Sequence, residues 1–308
     1  ILENLADVAV LNATSEAELA GQVESADAII LYHCLSITRS TLARLRQCKV
    51  LMRAGVGIDN VDHAFARTLG IPVVNIPDYG SEDVADSAIG MMLSLTRGIS
   101  LLNSRLRAGL GPWSYEQVQP LYRLRNRTLG VVGLGRIGTA VALRAKALGM
   151  RVRFYDPFKA DGYEKALGIE RADTLESLLR HAGVVSLHCP LTESTHHLID
   201  AGALALLPAG AYLVNTARGG LVDTAAVAEA IAGGRLAGAA FDVLEQEPPL
   251  HDSLVAAWKD PAQPAHHRVI INPHAAFYSE EGFMEIREKS AHACRRAFEG
   301  KPLRNVVN

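Results

Sequence analysis

The hexapeptide Gly133-Leu134-Gly135-Arg136-Ile137-Gly138 constrains this chain more than any other feature. In a sequence with 26 glycines a G-x-G-x-x-G means little alone. Here it follows the apolar run Leu129-Gly130-Val131-Val132 and opens a stretch of helical periodicity over residues 137–148. Asp156 then closes the next apolar run, 18 residues past Gly138. Strand, glycine turn, helix, strand and acid in that order form the fingerprint of a dinucleotide site. Gly133 permits the tight turn, Gly135 lets backbone approach a pyrophosphate, and Gly138 lets helix and strand pack closely. The helix start at Arg136 and Ile137 offers unpaired N–H groups and positive potential to phosphates. Asp156 can accept from ribose hydroxyls and repels a 2′-phosphate, so NAD(H) is expected over NADP(H).

The rest of the sequence carries the same rhythm of short apolar run, break and amphipathic stretch. Such runs occupy residues 8–11, 28–32, 50–53, 73–76, 129–133, 151–155, 184–188, 211–215 and 269–271. Most are β-branched and short, as buried parallel strands are. Intervening helical patterns include 137–148 and 224–233, which gives an α/β class with helices on both sheet faces. Residues 83–107 read as one long amphipathic helix carrying Met91 and Met92 on its buried side. A final helix over 279–298 stops at Gly300-Lys301-Pro302 and is placed to cross back to the first domain. The expected architecture is two doubly wound Rossmann-like domains, one inserted in the other: residues 1–102 with 279–308, and residues 103–278.

Charge and composition remove several function classes. Thirty-one Lys and Arg stand against 33 Asp and Glu, a formal net charge of −2, so no direct nucleic-acid or membrane partner is expected. No apolar run reaches the ~18 residues that span a bilayer. The four scattered cysteines suit a reducing compartment, and a cytoplasmic location is expected. The chain opens on Ile1, which leaves room for a removed leader. No metal site is expected: His196-His197 reads as a packing or capping pair near a helix start, and His266-His267 as a solvated loop pair.

The carboxyl ends of later strands supply further candidates, since that edge of a parallel sheet holds the ligand. They are Cys189 and Pro190, Thr195 beyond them, Thr216, Ala217 and Arg218, then Asp242 and His274. Hydride transfer to a small keto acid needs a cation for the carboxylate, a proton-exchanging group and a partner that orients it. Arg218 offers a planar fork, His274 an imidazole and Glu247 a carboxylate.

Five ordered motifs then carry a resemblance. They are the glycine fingerprint, Leu187-His188-Cys189-Pro190-Leu191-Thr192, Asn215-Thr216-Ala217-Arg218-Gly219-Gly220, Asp242-Val243-Leu244-Glu245-Gln246-Glu247-Pro248 and Asn272-Pro273-His274. With them the chain resembles the NAD-dependent D-isomer-specific 2-hydroxyacid dehydrogenases over nearly its whole length. The resemblance implies Arg218 as the substrate-orienting arginine, Glu247 as the histidine's partner and His274 as the acid/base. It implies a flavodoxin-like substrate domain whose loop, Arg53-Ala54-Gly55-Val56-Gly57-Ile58-Asp59-Asn60, holds the substrate carboxylate on the Val56 and Gly57 amides, with Arg53 adding charge. It further implies a homodimer, and domain closure with hinges near residues 99–107 and 277–281. Phe154-Tyr155-Asp156-Pro157 and His274-Ala275-Ala276-Phe277-Tyr278-Ser279-Glu280 are most similar to the C-terminal-binding-protein branch, NAD-sensing corepressors that take peptide partners. Phe277 stands where that branch usually has Trp, at the substrate pocket. The segment 248–268 matches nothing in the family pattern, and the family's first strand and following turn have no counterpart in the sequence.

Overall fold

A computed structural model covers residues 1–308, all of them described. The chain divides into two compact units, Ile1–Gly80 with Tyr278–Asn308, and Ser81–Phe277. The first unit contains a three-stranded parallel sheet in the order β1 (Ala28–Leu31), β2 (Val50–Arg53), β3 (Val73–Asn75). Leu51 and Val73 face a core with Leu42, Ile37 and Val61, while Val50, Met52 and Val74 bury against Ile286 and Cys294 of the helix Glu280–Phe298. That helix starts at Ser279, whose side chain accepts from the Gly282 amide, and it returns the chain to the first unit. Residues 8–11, expected as a strand, have no regular structure and are largely exposed, Val10 at 80%. Their apolar character finds no ladder to join, since β1 pairs with β2 alone.

The second unit is built on seven strands: β4 (Thr128–Val132), β5 (Arg151–Tyr155), β6 (Glu170–Arg171), β7 (Val184–Leu187), β8 (Ala211–Asn215), β9 (Leu236–Phe241) and β10 (Val269–Ile271). All run parallel in the order β10-β9-β8-β7-β4-β5-β6. Chain order reverses between β4 and β7, and a crevice at the carboxyl ends beside such a switch point is where this architecture binds ligands. Two of these strands, β6 and β9, are not among the apolar runs, although placing Asp242 after a strand implies the second. β6 is only two residues long, and β9 reads Leu-Ala-Gly-Ala-Ala-Phe, too small in side chain to stand out as a β-branched run. Gly238 is required there: a Cβ would lie 2.6 Å from the Arg268 carbonyl oxygen.

Three expectations need correction. Residues 83–107 form two helices, Ser81–Thr96 and Ile99–Arg107, because Gly98 between them takes a left-handed φ of 65°. The first of these belongs with the second unit, so the boundary lies at Gly80/Ser81 and not at 102/103. Ala85, Ala88, Met91, Met92 and Leu95 pack into one core with Leu129, Val131, Val141, Val152 and Phe154. The chain accordingly passes between the units at Gly80/Ser81 and Phe277/Tyr278, the second near the expected crossing and the first well ahead of it. Finally, His266-His267 does not sit in a loop: the short helix Ala265–Arg268 carries both, His266 Nδ1 bonds the Trp258 carbonyl at 2.7 Å, and His267 Nδ1 bonds Ser104 Oγ at 2.9 Å. The unmatched segment 248–268 thus folds as two helical pieces, burying Leu254, Val255 and Ala265 against the main core.

The helix assignment can be checked directly. Met92→Ala should destabilise the second unit by about 2–5 kcal/mol, the range for truncating a buried methionine. Hydrogen exchange should then speed at β4 and β5 amides and not at β2 and β3 amides; the reverse pattern would return this helix to the first unit.

Candidate active site

The glycine turn after β4 is shaped by crowding on two sides and openness on the third. Gly133 has a φ of 88°, and a Cβ there would lie 2.7 Å from the Cys189 amide nitrogen in the loop after β7. A Cβ on Gly138 would lie 2.1 Å from the Gly133 carbonyl oxygen. At Gly135 a Cβ would meet nothing within 4 Å. Gly135 is also the N-cap of the helix Arg136–Ala147, which has no side-chain cap and no acid in its first turn. Gly135 and Arg136 are exposed, so the start of this helix offers unpaired amides and positive helix potential at an open surface. The residues present suit a dinucleotide phosphate bridge on these grounds.

Asp156 follows β5 beside this turn. Its Oδ2 accepts from the Leu134 amide at 2.8 Å and its Oδ1 from the Phe158 amide at 3.0 Å, which aims the carboxylate at the glycine loop. Thr216, at the end of β8, is buried, and its hydroxyl has no hydrogen-bond partner. An orphaned buried hydroxyl at the carboxyl edge is a group that a bound ligand could satisfy. Cys189 lines the same edge; burial, with the Asp156 charge, pushes its thiol up to about 11, so it is not a thiolate near neutrality. Burial also pushes the adjacent His188 imidazole down to about 3, and its Nε2 bonds Ser186 Oγ at 2.8 Å. His188 is therefore neutral and spoken for. Pro190 and Thr195 belong to one local turn: Thr195 Oγ1 donates to the Pro190 carbonyl at 2.7 Å and accepts from the Thr192 amide.

Strands β8, β9 and β10 are neighbours, and each delivers one element of the candidate chemistry just past its carboxyl end. After β8, Asn215 organises the turn: its Oδ1 accepts from the Ala217 amide and its Nδ2 donates to the Arg218 carbonyl. Arg218 in turn donates from Nη1 to the Ala217 carbonyl at 2.7 Å. After β10, His274 adopts a left-handed φ of 54°, a conformation uncommon outside glycine. Its Nδ1 lies 2.7 Å from Glu247 Oε2, and the other Glu247 oxygen accepts from the Leu244 amide at 2.9 Å.

Asp242, expected among the cofactor ligands, does something the sequence did not suggest. It is 2% exposed, and its two carboxylate oxygens accept from the Ala275 and Ala276 amides, both at 2.9 Å. The His274 amide donates to the Asp242 carbonyl at 2.7 Å. One residue after β9 thereby grips the whole turn that carries the histidine. Each oxygen keeps a further lone pair for a ligand. Phe277 ends this turn, half-buried, with its ring edge-on to His274 at 6.2 Å.

The first unit's candidate loop follows β2. Arg53 is buried, its Nε donating to Asn60 Oδ1 and its Nη1 to the Ala54 carbonyl. Gly55 is needed beside it, because a Cβ would fall 1.8 Å from Arg53 Nη1. Asn75 Nδ2 donates to the Val56 carbonyl, so the Val56-Gly57 peptide is held from its oxygen side. The buried Arg53 thus braces its own loop, a structural task beyond the charge the sequence suggested.

The two kinds of glycine give opposite expectations. Gly135→Ala should leave the melting temperature nearly unchanged, since its Cβ meets nothing, yet weaken NAD binding by tenfold or more through lost backbone approach. Gly138→Ala should lower the melting temperature as well, since helix and strand must part. Titration calorimetry beside thermal melts checks both; wild-type NAD affinity in Gly135→Ala would remove the phosphate bridge from this turn.

Comparison with known proteins places the fold in a known family. Residues 89–276 match the model for the D-isomer specific 2-hydroxyacid dehydrogenase NAD binding domain. The whole chain is 36% identical over 308 residues to D-3-phosphoglycerate dehydrogenase of Methanocaldococcus jannaschii, covering 56% of that protein. It is 35% identical over 309 residues to C-terminal-binding protein 1 of Caenorhabditis elegans, with 98% of this chain and 41% of that one covered. The chain thus spans about half the length of these curated relatives. Among solved structures, D-lactate dehydrogenase of Aquifex aeolicus in complex with NAD and lactic acid superposes with a TM-score of 0.84 at 30% identity, covering 93% of this chain and 87% of that one. The chain belongs to the D-isomer-specific 2-hydroxyacid dehydrogenase family, with a Rossmann-type NAD-binding domain.

Proposed function

We propose that this chain interconverts a 2-oxo acid and its D-2-hydroxy acid, with His274 as acid/base, Glu247 as its partner and Arg218 as the substrate's orienting cation. The observation that carries the reading is the 2.7 Å pair of His274 Nδ1 and Glu247 Oε2, fixed at the same sheet edge as the dinucleotide turn. When bound, NADH supplies the hydride. Glu247 accepts from His274 Nδ1–H and so commits the imidazole's Nε2 to the proton that the substrate oxygen gains on reduction. Arg218 presents a planar guanidinium that can pair with a carboxylate through two N–H groups. Asp242 holds the histidine's turn, and Thr216 and Cys189 line the cofactor's edge.

Asp156 supports NAD(H) over NADP(H), because a second negative group beside its carboxylate would be repelled. A 2-hydroxyacid or 2-oxo acid is the proposed small-molecule partner. The exposed Trp113, Tyr115 and Tyr122, at 91%, 73% and 57%, support a homodimer built through the second unit. The likeness to C-terminal-binding protein 1 favours a second reading, a nucleotide-dependent binding protein for a peptide partner with weak turnover.

An initial-rate screen of 2-oxo acids, from glyoxylate and pyruvate to hydroxypyruvate and bulkier acids, with NADH and NADPH, separates the readings. Turnover with NADH and at least tenfold less with NADPH is expected. His274→Asn or Arg218→Ala should then lower kcat/KM by ~10²–10⁴-fold, as loss of a positioned acid/base does. Values within a few-fold of wild type would defeat the assignment. Feeble wild-type turnover, with NADH-dependent capture of a peptide partner, would favour the second reading.

A further inference from the structure

On the segment that carries Glu247, two imidazoles converge on a different carboxylate, that of Glu245. His196 Nε2 lies 3.1 Å from Glu245 Oε1, and His197 Nε2 lies 3.1 Å from Glu245 Oε2. The two rings stack with centroids 4.0 Å apart, and the three donor atoms all fall within 4.8 Å of one another. We infer that His196, His197 and Glu245 form a binding site for one zinc-class divalent cation, with solvent in the remaining coordination position.

The protein builds this cluster from two segments 48 residues apart and holds both by their backbones. His197 takes a φ of 49°, a conformation a non-glycine residue keeps only when its surroundings dictate it, and its amide donates to the Gly220 carbonyl at 2.8 Å. Gly219 packs so tightly on the second segment that a Cβ would fall 1.9 Å from the Leu244 carbonyl carbon and 2.2 Å from the Glu245 nitrogen. Donors carried on pinned backbone lose little entropy when an ion arrives.

Two imidazoles and one carboxylate are a zinc donor set, and imidazole nitrogen disfavours magnesium and calcium. Ligand atoms on bonds of about 2.0–2.1 Å in a tetrahedral site lie roughly 3.3 Å apart. His196 Nε2 and His197 Nε2 each lie 3.1 Å from one or other Glu245 oxygen, near that value, and the donor atoms all stay within 4.8 Å of one another. Both histidines are open to solvent on one side, which leaves an entry path. This inference does not depend on the proposed dehydrogenase chemistry.

Zinc titration against a chelating dye, on the full chain stripped with a chelator, tests it. One equivalent should bind and resist excess Mg²⁺. His196→Asn and His197→Asn should each weaken zinc at least tenfold while melting like wild type in chelator. Cys34→Ser should bind as wild type does, which excludes the exposed Cys34 thiol beside His33. X-ray absorption of the zinc-loaded wild type should show a nitrogen and oxygen shell at about 2.0–2.1 Å. Absence of zinc binding, wild-type affinity in both histidine variants, loss in Cys34→Ser, or a sulfur shell at about 2.3 Å would each overturn the site.

Discussion

The arrangement at the sheet's carboxyl edge depends on one buried carboxylate. Asp242 follows β9 directly and accepts from two successive amides of the turn beyond β10. Burying a carboxylate is costly unless hydrogen bonds replace its water, and here two backbone donors do so. Their geometry leaves His274 little choice of position, and it accepts a left-handed backbone to comply. Glu247 is fixed in the same way from the other side, by the Leu244 amide. Histidine and carboxylate therefore meet because two neighbouring strands end where they do, and the pair is set before any ligand arrives.

The nucleotide side follows a parallel logic built from absence of side chains. Gly133 lets the turn after β4 touch the backbone of the loop after β7, across the point where strand order reverses. Gly138 lets the following helix sit against that turn, and Gly135 leaves its mouth open. Asp156 then reaches back from β5 to the Leu134 amide. Four residues on two segments thus leave an open turn with donors on one wall and an acid beside it.

Much of this was legible in the sequence because the relevant residues are either adjacent or follow a strand. The fingerprint, Asp156, Arg218, Glu247 and His274 all belong to short motifs whose placement at one edge follows from parallel topology. What the sequence did not reveal depends on contacts that periodicity leaves open. Residues 81–96 look amphipathic, yet periodicity says only that one face is buried and not which sheet buries it. Strand β9 was hidden by its alanines and by Gly238, which is small because the Arg268 carbonyl lies against it. Residues 8–11 had the composition of a strand and no partner. The clamp by Asp242 and the meeting of His196, His197 and Glu245 each join positions over thirty residues apart, which only the folded sheet brings together.

The claim at the centre of this account is that Glu247 acts through His274. A double-mutant cycle on hydride transfer, measured in single turnovers with Glu247→Gln, His274→Asn and both, tests it most directly. If the carboxylate works only by orienting the imidazole, the double variant should be no slower than His274→Asn alone. Independent, multiplying losses would contradict the account.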